Sequence, residues 1–196
     1  MATTTKLSEL TGDYVLDTAH TRIGFVARAI TKVRGQFDEF EGAAHLDGGD
    51  PSTSSAQLTI QAKSIQTRNR RRDDHLRDRF LDSGDHPAIT FTSAKVEQVG
   101  QTSFKVTGDL AIHGVTKPVT VGFKLTGTEN DPEGNLRVGF EGQVTINRKD
   151  WGVGWNAALE GGGVLVSNKV TLELDIAAVR GGRTVLTKQG RPAAGR

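Results

Sequence analysis

The chain has 196 residues, 35% of them hydrophobic and 24% charged, and no cysteine. That is enough for one domain with a sizeable core and tight for two. It excludes a disulfide framework, a thiolate nucleophile and any cysteine-ligated metal. The net charge is +2, yet Arg180, Arg183, Lys188, Arg191 and Arg196 stand together without an acid. The 25 basic residues less these five leave 20 against 23 acidic ones. A nucleic-acid-binding domain carries its basic patch on the fold, so no nucleic-acid partner is expected.

Residues 1–12 read as a flexible polar leader with no apolar h-region, and a cytoplasmic protein is the expectation. No stretch approaches the ~20 apolar residues of a membrane span, so stable membrane insertion is not expected. One domain is expected over residues 13–180. Tyr14 to Asp17 is a weak strand. Ile23, Phe25, Ala27 and Ala29 then share one parity, the period-2 signal of a half-buried strand. Gly35 to Leu46 is weaker. Ala56, Leu58, Ile60 and Ala62 alternate with polar neighbours.

Thr67 to Asp82 breaks the pattern: Leu76, Phe80 and Leu81 fall at helical spacing, and Thr67 is the expected N-cap. Arg70–Asp74 and Asp73–Arg77 supply opposite charges four residues apart. Strands return at Ile89 to Thr92, Phe104 to Ile112, Val119 to Leu125, Leu136 to Ile146 and Val170 to Ile176. Turn chemistry at Asp47–Pro51, His113–Pro118 and Asn130–Gly134 separates them. Residues 181–196 read as a disordered basic tail able to touch an anionic surface.

Eight or more antiparallel strands with one apolar face imply an all-β barrel, because closure removes the exposed edges. The interior stays open to two readings. Phenylalanines mixed with small residues such as Ala27, Ala44, Ala56 and Gly142 can fill a barrel or leave a tunnel. A scan for chemistry is nearly empty: there is no nucleophile elbow, P-loop or dinucleotide fingerprint. His20, His45, His75, His86 and His113 stand at no metal-ligand spacing, so no metal site is expected. Arg148, Trp151 and Trp155 fall where a strand ends, as rim, wall or lid residues.

These motifs together resemble the YceI-like proteins, a lipocalin-like, polyisoprenoid-binding family of bacteria. The matching residues are Asp17-Thr-Ala-His20-Thr21, Gly35-Gln-Phe37, Phe40-Glu-Gly42, Arg72-Asp-Asp-His75-Leu76 with Phe80, His86-Pro87-Ala-Ile-Thr-Phe91, His113-Gly-Val-Thr-Lys-Pro118 and Ile146-Asn-Arg148-Lys-Asp-Trp151. Thr21 stands where the family has serine. The tail and the missing export signal depart from the family pattern. The resemblance implies an extended eight-stranded antiparallel β-barrel with one main helix between strands, a long internal pore and no catalytic activity.

The expected function is therefore to carry or sequester a long isoprenoid or related amphiphilic lipid, a polyisoprenoid or quinone-like ligand, with no other cofactor. Stress-response and quinone-related settings come with the family. Wall candidates are Phe25, Phe37, Phe40, Phe91, Phe104, Phe123, Phe140 and Ile146, with Leu76, Phe80 and Trp151 near one end. Head-group candidates are His20, Arg72, His75 and Arg148. The rival readings are a ligand-free interaction protein and a haem- or quinone-dependent redox accessory. A homodimer is compatible with the sequence, which contains nothing that reports it.

Overall fold

The computed structural model describes residues 6–28, 30–154 and 167–181. Eleven strand segments follow one another: β1 Gly12–Leu16, β2 Arg22–Arg28, β3 Lys32–Phe37, β4 Phe40–Leu46, β5 Ser55–Gln61, β6 Ile65–Gln66, β7 Ala88–Gln98, β8 Ser103–Ile112, β9 Val115–Asn130, β10 Leu136–Asn147 and β11 Lys169–Arg180. They compose eight strands, because three are interrupted. Both β1 and β2 pair with β11, Leu16 opposite Ala178 and Arg22 opposite Asp175. The next strand is β3 with β4, and the third is β5 with β6. From β7 to β11 each strand pairs antiparallel with the next. The β1–β11 pairing closes the barrel.

The first interruption is held by the Asp17–Thr21 motif. Asp17 N–H donates to Ala177 O at 2.8 Å, and the buried Thr21 hydroxyl donates to Ala177 O and accepts from Ala177 N–H, both at 3.0 Å. Ala177 faces the gap yet keeps both backbone groups paired, as a buried peptide must. Arg137 then bridges Asp17 (2.5 Å) and Asp131 (3.0 Å). Burial alone would raise the Asp17 carboxyl, but hydrogen bonds from His20 and Arg137 outweigh it and hold it below its ordinary value.

The expected helix is shorter than its sequence pattern. Helix α1 spans Arg70–His75 and passes into a wider π turn over Leu76–Phe80, closed by Leu81 N–H to Leu76 O at 2.9 Å. Asn69, not Thr67, is the N-cap, its side chain accepting from Arg72 N–H. Thr67 instead donates its N–H and hydroxyl to the buried Asp73 carboxylate at 2.7 and 2.6 Å. That contact removes Asp73 from the expected pairing with Arg77, which binds Asp74 and the carbonyl of Lys63.

β7 runs to Gln98, well past Thr92. A register shift between Ser93 and Lys95 resets the alternation, so Val96 turns inward again after a break that ends the period-2 signal. Within the expected leader, Leu7–Leu10 form a 3-10 turn whose Leu10 is buried, so this part is not a free polar arm. Tyr14, the most deeply buried large side chain among the described residues, donates its hydroxyl to Leu10 O at 2.7 Å. Arg180, assigned to the tail by charge, belongs to β11 and donates to Glu9 O. The expected tail beyond Gly181, with Ala29 and Trp155, lies outside the described residues.

Candidate functional site

The inward faces of all eight strands enclose a cavity of about 360 Å³. Its wall joins two apolar clusters. One gathers Leu10, Tyr14, Val138 and Ala178 beside the Leu7–Leu10 turn. The other gathers Ile23, Phe25, Phe80, Ile146 and Trp151 beside the helix. The cavity therefore runs from the N-terminal turn to the helical end.

Register explains why the wall encloses space and does not fill it. Phe25 lies opposite Gly35, and Phe123 opposite Gly142. A Cβ at Gly35 would sit 2.2 Å from Phe25 Cζ, and one at Gly142 would sit 2.6 Å from Phe123 Cδ1. Phe91 leans over Gly108 in the same way, at 2.6 Å. Each ring thus occupies the space a neighbouring strand leaves by having no side chain, and the lumen stays open. Phe104 and Phe140 meet edge to face at 6.3 Å farther along.

Both ends are built from irregular segments. At the N-terminal end, Leu7 and Leu10 meet the Asp47–Ser54 loop, and Gly48 has no Cβ because Leu7 O would lie 1.6 Å from it. At the other, Leu76, Phe80, Leu81, Trp151 and Val153 line the space. Trp151 donates its indole N–H to Leu110 O at 2.8 Å, which fixes the ring across the end. Arg148 is the one cationic side chain on the described wall. It is 5% exposed, donates to Val153 O at 2.6 Å and to Ser167 O at 3.0 Å, and stands 5.4 Å over the Phe80 ring. Burial pushes its pKa below the ordinary arginine value.

The structure gathers Phe25, Phe37, Leu76, Phe80, Phe91, Phe104, Phe123, Phe140, Ile146, Arg148 and Trp151 on the cavity wall. Four other candidates lie off it. Phe40, partly buried, packs against the core cluster but does not line the cavity. His20 is largely exposed, with Nδ1 2.7 Å from Asp17 Oδ2, so it serves the strand interruption. Arg72 folds back onto Thr67, donating to its hydroxyl at 2.7 Å and its carbonyl at 2.9 Å. His75 stands edge-on to Phe80 at 6.0 Å. Local hydrogen-bonding chances captured these polar groups, which parity arguments do not detect. Sequence reasoning also missed Leu7, Leu10 and Tyr14, although a leucine pair before the first strand was a usable signal. It missed the meeting of His86 and His113, whose rings lie 4.8 Å apart, with Asp82 beside them.

The YceI-like domain model matches residues 14–178, most of the closed barrel. The chain belongs to the YceI-like family. A UPF0312 protein of Pseudomonas paraeruginosa is 42% identical over 120 residues, covering 61% of this chain. The match spans 62% of that relative's length, under two thirds of it. Among solved structures, Burkholderia cenocepacia BcnA superposes with a TM-score of 0.74 at 22% identity, covering 83% of this YceI-like chain and 98% of BcnA. A polyisoprenoid binding domain from Saccharophagus degradans, implicated in plant cell wall breakdown, gives a TM-score of 0.66 at 18% identity, with 85% and 98% covered. At these identities the two structures establish the shared YceI-like fold.

Proposed function

We propose that this YceI-like protein holds a long isoprenoid or related amphiphilic lipid along its barrel and changes no bond in it. The observation that carries the reading is the end-to-end cavity whose wall is almost wholly carbon. An apolar chain entering it is stabilised by about 25 cal/mol per Å² removed from water. The polyisoprenoid binding domain of the same fold supports this class of ligand. Arg148 gives the helical end a cationic group beside the lumen, suited to a polar head.

The outer wall supports a carrier that moves through water. Glu173 there lies between Arg22 and Arg34, and threonine pairs Thr107–Thr120 and Thr145–Thr171 bond across strands. A membrane barrel shows an apolar band outside and polar groups within, the reverse of this arrangement. The deciding experiment is organic extraction of the purified protein followed by mass spectrometry. A stoichiometric polyprenyl or other long-chain lipid is expected. If none is released, and added polyprenols and isoprenoid quinones neither bind nor raise the melting temperature, the carrier reading fails.

A further inference from the structure

We propose that Asp82, His86 and His113 form a site for a divalent first-row transition ion of the zinc type, placed where the helix exit meets the barrel rim. The three residues come from separate segments. Asp82 follows the π turn, His86 precedes Pro87 and β7, and His113 forms the β8–β9 turn. One ligand atom from each lies within 4.8 Å of the others, and all three side chains are half-buried. No side-chain hydrogen bond ties any of them among the described residues, although the two rings are in contact at 4.8 Å.

The backbone around them is specified. His86 N–H and Asp85 N–H both donate to Asp82 O, at 2.8 and 3.1 Å, which sets the Asp82 and His86 side chains on one tight turn. Asp82 and His113 adopt left-handed conformations, with φ of 47° and 54°. Such backbones cost free energy for residues other than glycine. Gly114 has no Cβ, and one there would meet His86 Cε1 at 2.8 Å, so the turn is shaped to receive that ring.

The donor set selects the ion. Two neutral imidazoles and one carboxylate suit zinc, cobalt or nickel, whereas magnesium and calcium take all-oxygen sites. Ligands bound at about 2.0–2.2 Å in a tetrahedron stand roughly 3.4 Å apart. The three ligand atoms, within 4.8 Å of one another, already stand near that spacing. Leu81 and Ile112, each one residue before a proposed ligand, line the cavity. A bound ion would therefore join the helix to the barrel at the end of the lumen. His20 and His45 each pair with one aspartate elsewhere, and no third donor joins them among the described residues.

The test uses the full chain, untagged and stripped of metal, titrated with Co²⁺ followed by visible absorption and with Zn²⁺ by calorimetry. One saturable equivalent is expected, with a cobalt band that zinc displaces. Asp82→Asn and His113→Asn keep residues that accept the left-handed backbone. Each should weaken binding by about tenfold or more, since even losing a supporting partner costs 10–100-fold. His45→Asn should leave binding unchanged. Circular dichroism and metal-free melting of the variants must match the parent, and His86→Gln provides a second variant if one does not. Absence of saturable binding, or binding that neither Asp82→Asn nor His113→Asn weakens, would overturn the site.

Discussion

Replacing Gly35 with alanine should close part of the lumen. The added Cβ would lie 2.2 Å from Phe25 Cζ and 2.6 Å from Cε1, against an ordinary carbon–carbon contact of about 3.5–4.0 Å. The strand backbone at Gly35 accepts alanine, so the ring is what yields, and the free space beside it is the cavity. Where the ring is instead trapped, overpacking costs about 1–3 kcal/mol, a fall of roughly 2–12 °C in melting temperature for a chain of this size. A ring turned inward displaces roughly two methylenes of an occupying chain at about 0.8 kcal/mol each, or about fifteenfold in affinity. Thermal melts and titration with a fluorescent polyprenyl probe separate the two outcomes. Gly35→Ala combined with Phe25→Leu should recover most of the loss that the alanine causes, because the ring tip is gone. Unchanged melting and unchanged affinity in Gly35→Ala would refute the idea that glycines opposite phenylalanines keep the barrel hollow.

Phe123→Asp places a carboxylate on the cavity wall; it should abolish binding of the same probe in a protein that still gives a β-sheet spectrum, and retained binding would remove Phe123 from the lipid path. Asp17→Asn should destabilise the fold by about 1 kcal/mol at neutral pH, read by urea denaturation. Because the folded Asp17 carboxyl titrates below its ordinary value, its contribution is complete above the unfolded value near ~3.9 and is lost as pH falls through the folded one. The variant should therefore show a flatter loss of stability below about pH 4, and parallel acid limbs would count against the Arg137–Asp17–His20 network. Tyr14→Phe removes the hydroxyl that holds Leu10 O; a loss of about 0.5–1.5 kcal/mol with faster amide exchange at Leu10 is expected, and unchanged exchange would show that the turn is held by its leucines alone.

The parts of this protein legible in the sequence are those set by neighbours along the chain. Alternation at Ile23–Phe25–Ala27, Val119–Val121–Phe123 and Val170–Leu172–Leu174 reports which side chains face inward, because a strand's period of two is local. The same reasoning failed at Val96, where a bulge shifts the parity, and at Thr67, where a nearby carboxylate competes with the cap. It gave inward-facing phenylalanines and small residues with no means to say whether they fill the space. That depended on register. Phe25 over Gly35 and Phe123 over Gly142 are pairings between strands, Phe91 reaches Gly108 diagonally beside its own partner Leu110, and a slip of one residue would set the paired rings against side chains. The meeting of Asp82, His86 and His113 is likewise a product of closure, since no short-range spacing connects a helix exit to a turn two strands later. Composition and periodicity determined a one-faced β barrel; the tertiary structure decided that it is hollow, because volume is a property of facing strands and not of any one of them.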